Sequence, residues 1–233
     1  MDKIKIYQID VKVYLLKTIT YYDMQQQITQ FLDQYLAKKE ELLQFHQKNC
    51  FKKYCFSGWK QFEKSGVYPE GSLNSFSIRC LEEDFARELA EGLAHHESMW
   101  IKGLSAQVKE VRPEHIRKLY AITPVILRFE DGGYWRKNHS LEEFQERILS
   151  NVVRKYQDYT GETLEMEKPF YYHFQMLNRV PIKTRYKNIS LLGDKFEVMV
   201  AEDPMSQQIA RLLCAAAVGE LSARGFGYVG YRS

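Results

Sequence analysis

Two successive βαββαβ units of an α+β fold are predicted by the order of apolar patterns in this chain of 233 residues. Residues 3–17 alternate as a strand does, and the apolar residues between Asp23 and His46 recur at helical spacing. Two strands, a second amphipathic helix and another strand follow, and the same order recurs after residue 113. This order is that of the ferredoxin-like, or RRM-like, fold. We therefore predict tandem ferredoxin-like modules over residues 1–113 and 114–233.

The first predicted strand contains an irregularity. Ile4 and Ile6 lie on one face, but the alternation resumes at Ile9 one residue out of phase, which predicts a β-bulge near Gln8. The rest of the first module is predicted to be a hairpin of strands Phe51–Trp59 and Leu73–Leu81, a helix at Glu82–Leu93 and a strand at Met99–Val111.

The second module begins with a predicted strand at Lys118–Phe129. Ser140, with Glu143 three residues later, forms a capping box in front of a helix. Asp203 followed by Pro204 marks the start of the last helix. Between the helices the pattern predicts an extra hairpin with strands at Phe170–Val180 and Ile182–Leu192, then a strand at Lys195–Val200, and a short strand ending at Arg232 closes the chain.

The composition excludes several classes of protein. No run approaches the roughly 18 apolar residues of a membrane span, and the first residues lack the apolar stretch of a signal peptide. A cytoplasmic protein with no membrane partner is therefore expected. The cysteines are scattered without a CxxC pair, which favours reduced thiols and predicts no metal or cofactor; they are Cys50, Cys55, Cys80 and Cys214.

The basic residues are clustered, although the net charge of +3 is too small to identify a polyanionic partner. Several clusters contain aromatic residues, a mixture that is typical of surfaces that neutralise a nucleic-acid backbone and stack bases. Solvated protein surfaces are the alternative interpretation. The clusters lie at Lys52–Lys53, Lys102–Lys118, Arg128–Lys137 and Arg179–Lys187.

A glycine-rich segment follows the last predicted helix. Gly219, Gly225 and Gly227 allow conformations in which amide groups point at phosphate oxygens, and Arg224 would add charge. A helix cap and a tight turn into an edge strand are the alternative. A nucleotide-binding enzyme of the dinucleotide type is disfavoured, because that fingerprint follows a strand and precedes a helix, the reverse of the order here.

This segment resembles the C-terminal signature of the CRISPR-associated endoribonucleases that mature guide RNA. The signature is a hydrophobic residue and glycine, five residues including a basic one, and then glycine, a hydrophobic residue and glycine. Val218-Gly219, Glu220 to Arg224 and Gly225-Phe226-Gly227 match it, whereas Ala217 departs from the glycine that the family often has there. The resemblance extends to the order of elements over most of the chain.

The resemblance implies a catalytic site at the end of the first helix. His46 takes the place of the family's catalytic histidine, and Lys52 that of its lysine, with Lys53 as the fallback and a strand-edge lysine as the alternative. Some members add a tyrosine from the first helix, but Phe31 stands at that position here. Tyr35, one turn later, is the remaining candidate, with core packing as its alternative.

The implied activity is metal-independent cleavage of CRISPR precursor RNA within the repeat, leaving a 2′,3′-cyclic phosphate and a 5′-hydroxyl. The implied partner is repeat RNA, as precursor and as mature crRNA; homodimers and effector-complex subunits are left open. A noncatalytic repeat-RNA-binding subunit is the rival class. The residues expected to contact RNA are Lys53, Arg179, Lys183, Arg185, Lys187, Gly219, Arg224, Gly225 and Gly227.

Overall fold

The structure is a computed structural model that describes residues 4–38, 51–187 and 189–233. Its first half contains β1 (Ile6–Leu15), β2 (Ile19–Thr20), α1 (Met24–Leu36), β3 (Tyr54–Phe56), β4 (Val67–Tyr68), β5 (Leu73–Cys80), α2 (Glu83–Leu93) and β6 (Ile101–Val111). The second half contains β7 (Lys118–Ala121), α3 (Leu141–Thr160), β8 (Tyr171–Met176), β9 (Ile182–Tyr186), β10 (Ile189–Gly193), β11 (Phe196–Val200), α4 (Pro204–Ala216) and β12 (Val229–Arg232).

Both halves form four-stranded antiparallel sheets with the same topology. The first sheet has the order β3-β5-β1-β6 and the second has the order β12-β7-β11-β8. In each, the first and third strands of the unit lie in the centre, as the βαββαβ order requires. The predicted tandem ferredoxin-like fold is confirmed. An extra hairpin is present, but not with the predicted strands: β9 and β10 pair with each other in a separate two-stranded sheet, whereas β8, the predicted first strand of the hairpin, pairs with β11.

The predicted bulge near Gln8 is wrong. The register between β1 and β5 is continuous from Tyr7 opposite Cys80 to Tyr14 opposite Leu73. The only register shift of β1 lies at Lys12/Val13, in its pairing with β6. The shift in the alternation of apolar residues has another cause, because both faces of β1 are buried where the strand begins. Ile6 packs into the core of the second half, whereas Ile9 packs into the core of the first half.

Other predicted elements also differ in extent; the strands predicted at Phe51–Trp59 and Phe170–Val180 are shorter, at Tyr54–Phe56 and Tyr171–Met176. The strand from Lys118 ends at Ala121, before Pro124, which has no backbone N–H to donate to a ladder. The predicted strand Ile182–Leu192 is in fact the hairpin itself, turning at Lys187, whose φ is +53°. The first helix ends at Leu36; the later part of its predicted range lies outside the described residues.

The helix caps are those that the sequence predicts. The Ser140 hydroxyl accepts from the Glu143 amide while the Glu143 carboxylate accepts from the Ser140 amide, completing a capping box. The Asp203 carboxylate accepts from the Ser206 amide, and Pro204 occupies the first turn of α4. These signals depend on residues three apart at most, so the local sequence is sufficient to predict them.

Helix α4 and Arg79 join the two halves. α4 contacts β1, β3 and β5 of the first sheet as well as β11 and β12 of the second. Arg79 on β5 donates from Nε to Gln8 Oε1 (2.9 Å) and from Nη1 to the Val229 carbonyl (2.8 Å). Its guanidinium carbon lies 4.7 Å from the ring centroid of Tyr228. The halves are therefore connected by shared packing and by buried hydrogen bonds.

The described cysteines lie in the interior of the protein. Cys55, Cys80 and Cys214 are buried free thiols, as expected; Cys50 lies outside the described residues. Among the described helices, none combines the length and apolar character needed to cross a membrane.

Candidate functional site

The predicted catalytic residues fall into different parts of the structure. His46 lies outside the described residues. Lys52 is half-buried in the segment that leads into β3, the edge strand of the first sheet. The preceding residue, Phe51, packs against the core of the second half, with its ring centroid 5.6 Å from Lys155 Nζ on α3. The Lys52 segment therefore lies where the first sheet meets α3.

Tyr35 lies in the core of the first half. The side chain is 6 % exposed, and its hydroxyl donates to the Glu88 carbonyl on α2 at 3.1 Å. A Cβ atom added at Gly92 would lie 2.0 Å from the Tyr35 ring, so the glycine makes room for it. This placement favours the packing alternative for Tyr35.

Lys53, the fallback lysine, has a defined partner. Its ammonium group lies 2.7 Å from the Glu82 carboxylate at the start of α2. The residue has a φ of +56°, which directs its side chain differently from that of a regular strand residue. Its contact with RNA stays a prediction.

The basic hairpin presents its charges to solvent, as the alternation predicts. Lys183 and Arg185 are exposed on β9, the intervening Thr184 is buried, and Lys187 is exposed at the turn. Arg185 Nη1 donates to the Asp23 carboxylate at the start of α1 at 2.9 Å. The hairpin is thus held against the first helix of the other half.

Arg179 precedes the hairpin and is also exposed. Its carbonyl oxygen accepts from Arg136 Nη1 at 2.8 Å, and Arg136 Nη2 reaches the Asn178 carbonyl at 3.0 Å. Arg136 was part of a predicted basic and aromatic cluster, and here it supports the backbone that enters the hairpin.

The base of the hairpin is organised by Asp194, a residue that sequence reasoning missed. Its carboxylate is fully buried and accepts hydrogen bonds from four side chains. The donors are the Tyr134 hydroxyl (2.8 Å), Trp135 Nε1 (2.7 Å), Arg136 Nη2 (2.7 Å) and Asn178 Nδ2 (2.7 Å). Burial, together with the hydrogen bond to Asp194, raises the pKa of Tyr134. The only sign of this network in the sequence is the position of Asp194 between two apolar strands.

The glycine-rich loop is shaped by close packing. Gly219, Gly225 and Gly227 all have positive φ and are buried. A Cβ at Gly227 would lie 1.8 Å from the Val218 carbonyl, and one at Gly225 would lie 2.4 Å from the Phe56 ring. The amides of these two glycines donate to the Pro124 and Ser222 carbonyls at 2.8 and 3.0 Å. In this conformation those donors serve the fold, and contact of the glycines with RNA stays a prediction.

Ala217, the departure from the family's glycine, has a conformation that favours glycine. Its φ is +61° and its ψ is 167°, a combination that L residues rarely adopt and that costs about 1–3 kcal/mol. Lys155 Nζ donates to the Ala217 carbonyl at 2.8 Å and to the Ala216 carbonyl at 3.2 Å. Burial lowers the pKa of Lys155 to about 7. The lysine thus holds the end of α4 where the glycine-rich segment begins.

Ala217→Gly is expected to relieve this backbone strain. The matched control is Ala215→Gly, which removes an equally buried methyl group from the regular part of α4. Both changes lose a methyl contact and add freedom to the unfolded chain, so the difference between them isolates the positive φ. Urea unfolding should show Ala217→Gly to be more stable than Ala215→Gly by about 1–3 kcal/mol. Equal stabilities would contradict the strain.

A cavity of about 230 Å³ lies where α1, the hairpin and the glycine-rich loop meet. The loop is tied to α1 by two contacts: Gln25 Nε2 donates to the Gly225 carbonyl at 2.7 Å, and Arg224 forms an ion pair with Asp33. Helix α1 lines the cavity with Gln25, Gln26, Thr29, Gln30 and Asp33.

The opposite wall of the cavity is basic and aromatic. Arg185, Tyr186 and Lys187 of the hairpin lie there with Arg224 and Phe226 of the loop. Lys187 Nζ is 5.7 Å from the Tyr186 ring centroid. Arg185 and Arg224 are paired with Asp23 and Asp33, so Lys187 leaves this wall with a net positive charge, which favours an anionic ligand that also forms hydrogen bonds. Three predicted RNA-binding residues, Arg185, Lys187 and Arg224, are thus brought together.

Comparisons with known proteins point to one family. A family model described as CRISPR associated protein Cas6, C-terminal, matches residues 106–231. A solved structure described as CRISPR associated protein Cas6 is similar with a TM-score of 0.73 and 18% identity, covering 98% of this chain and 100% of that chain. No curated protein matches the chain.

Two further structures show the same fold. One is described as an RAMP protein binding different RNA substrates, with a TM-score of 0.71, 18% identity and coverage of 97% of this chain and 100% of that one. The other is a Cas6-related protein from Pyrococcus furiosus, with a TM-score of 0.68, 16% identity and coverage of 98% and 99%.

Proposed function

The chain belongs to the Cas6 family of CRISPR-associated proteins, and this membership supports a role in processing or binding CRISPR repeat RNA. We propose that the protein cleaves this RNA without a metal ion. The observation that carries the proposal is the cavity between α1, the basic hairpin and the glycine-rich loop. The hairpin and the loop are the elements that the resemblance associates with the repeat RNA. Helix α1 is the element after which the resemblance places the catalytic histidine.

The proposed reaction uses the RNA's own nucleophile. The 2′-hydroxyl upstream of the scissile bond attacks the adjacent phosphorus in line and loses its proton, and the downstream 5′-oxygen leaves and gains one. The products are a 2′,3′-cyclic phosphate and a 5′-hydroxyl. His46 exchanges protons with the reacting oxygens, because imidazole titrates near neutral pH. Lys52 stabilises the negative charge that develops on the phosphoryl oxygens.

One observation favours the noncatalytic alternative, an RNA-binding subunit. Phe31, which stands where some family members have a catalytic tyrosine, is fully buried, and the Tyr35 hydroxyl is bonded within the core. Within the described part of α1, the tyrosine role therefore has no replacement. The proposed site depends on His46 and Lys52 alone.

The test is cleavage of labelled cognate repeat RNA in excess EDTA, with and without a 2′-deoxy substitution upstream of the scissile bond. We expect cutting at one site with a 2′,3′-cyclic phosphate end, and none with the deoxy substrate. Binding of the two substrates should be equal. An RNA that is bound tightly but never cut would replace the enzyme with the noncatalytic subunit, and cutting that EDTA abolishes would refute metal independence.

A further inference from the structure

The cavity between α1, the hairpin and the glycine-rich loop has the size of a site for one ring system. Its volume of about 230 Å³ is below the range of about 300–1,000 Å³ that is usual for pockets holding drug-sized ligands. A duplex or a run of stacked nucleotides does not fit into it. A single unpaired base does, with its phosphates outside.

The wall formed by α1 carries neutral hydrogen-bonding groups, which phosphate binding alone does not require. Gln25, Gln26, Thr29 and Gln30 lie on one side of the helix, one turn apart in pairs. Carboxamides carry both donors and acceptors, and glutamine is a side chain that reads base edges in nucleic-acid complexes. Charge attracts the RNA, whereas these groups are suited to selecting a base.

Two of these glutamines have unsatisfied acceptors. Oε1 of Gln25 and Oε1 of Gln26 are buried and have no hydrogen-bond partner among the described residues. A buried acceptor without a partner costs about 1–3 kcal/mol and calls for an explanation. Gln25 is held in place by its bond to Gly225, but the terminal torsion of Gln26 is soft and can turn its oxygen to the cavity. A ligand that brings N–H donors would satisfy it.

The other walls complete a nucleotide site. The half-buried ring of Tyr186 offers a stacking surface and is supported edge-on by Phe226, with ring centroids 6.5 Å apart. The exposed Lys187 at the rim is placed to meet a flanking phosphate, whereas Arg185 is already paired with Asp23. Arg224 is paired with Asp33, so it shapes the cavity floor.

We infer that this cavity binds one unpaired RNA base that carries an exocyclic amino group, with Gln26 as a specificity-determining residue. The inference rests on the proposed function, since it deepens the recognition of the same RNA. Adenine, guanine and cytosine have an exocyclic amino donor, whereas uracil has a carbonyl oxygen at the corresponding exocyclic position and only the ring N3–H as a donor on its Watson–Crick edge. The repeat RNA should therefore contain one unpaired position at which uridine is rejected.

The test measures Kd for repeat RNA made uncleavable by a 2′-deoxy substitution at the scissile bond. Each unpaired adenosine, guanosine or cytidine is replaced in turn by uridine. With the wild-type protein, one position should weaken binding by about tenfold or more. With Gln26→Met, which keeps the side-chain length but removes the amide, the penalty at that position should fall to within about twofold.

The matched control is Gln34→Met, on the exposed side of the same helix and outside the cavity. It should keep the wild-type pattern of penalties. If no position rejects uridine, or if Gln26→Met leaves the penalty unchanged or Gln34→Met removes it equally, the inference is overturned. If the inference fails in one of these ways while the unmodified repeat RNA is still bound and cut, the proposed function stands, whereas RNA that is not bound at all overturns both.

Discussion

Replacing His46 by alanine is expected to slow cleavage of the repeat RNA by about 10²–10⁴-fold, the usual contribution of a general acid or base. Binding of the RNA should change little, because the cations of the hairpin and the loop that are expected to attract it are untouched. Single-turnover rates in excess EDTA, with protein in excess over RNA, measure the chemical step separately from product release.

Two matched comparisons make this prediction specific. His95→Ala removes an exposed histidine in the same half of the protein and should cut at the wild-type rate. Lys52→Ala should slow the reaction by about 10²–10³-fold, as loss of one electrostatic donor does, whereas Lys53→Ala should cost far less because the resemblance gives the catalytic lysine position to Lys52. A His46→Ala protein as fast as wild type would remove His46 from the mechanism. A larger loss for Lys53 than for Lys52 would shift the site by one residue.

Asp194→Asn is expected to lower the free energy of unfolding by about 3–5 kcal/mol, the range found when one member of a buried ion pair is removed. The Asp194 carboxylate is fully buried and accepts from four donors, among them the Arg136 guanidinium at 2.7 Å. An asparagine of the same shape has one acceptor oxygen and brings two donors of its own. Several donors at the base of the hairpin would then lose their acceptor.

Urea unfolding followed by circular dichroism measures this effect, with the slope of the transition showing whether the unfolded reference changes. The control is Glu197→Gln, which breaks an ion pair with Lys118 in which both side chains are about one-fifth exposed. Its cost should be about 1 kcal/mol or less. A similar decrease in the free energy of unfolding for the two variants would show that the Asp194 network stabilises the protein no more than a partly exposed ion pair does.

Features that depend on neighbouring residues could be read from the sequence. The capping box at Ser140 and the Asp203-Pro204 start of α4 are encoded within one helical turn. The βαββαβ order follows from the alternation of two apolar periods, and it was sufficient for the topology of both sheets. The positive φ of Gly225 and Gly227 also agrees with what the residue type allows.

Features that depend on residues far apart in the chain could not be predicted from the sequence. The phase change at Ile6 was interpreted as a bulge because nothing local reveals a second core on the far side of the strand. The cavity was missed for the same reason: Gln25 and Gly225, which hydrogen-bond at its edge, are 200 positions apart. The sequence predicted cations on the hairpin and the loop separately, but only the tertiary structure shows that they share a wall.

The packing of α4 between the sheets has a consequence for how the protein unfolds. Every residue of α4 from Ser206 to Ala216 is buried, and its neighbours belong to both halves. Separating the halves would expose this helix on at least one side, and Arg79 would lose the Val229 acceptor across the junction. The two ferredoxin-like units are repeats in topology, yet we expect them to unfold as a single cooperative unit, and the amides of α4 should exchange with solvent only when the whole molecule opens.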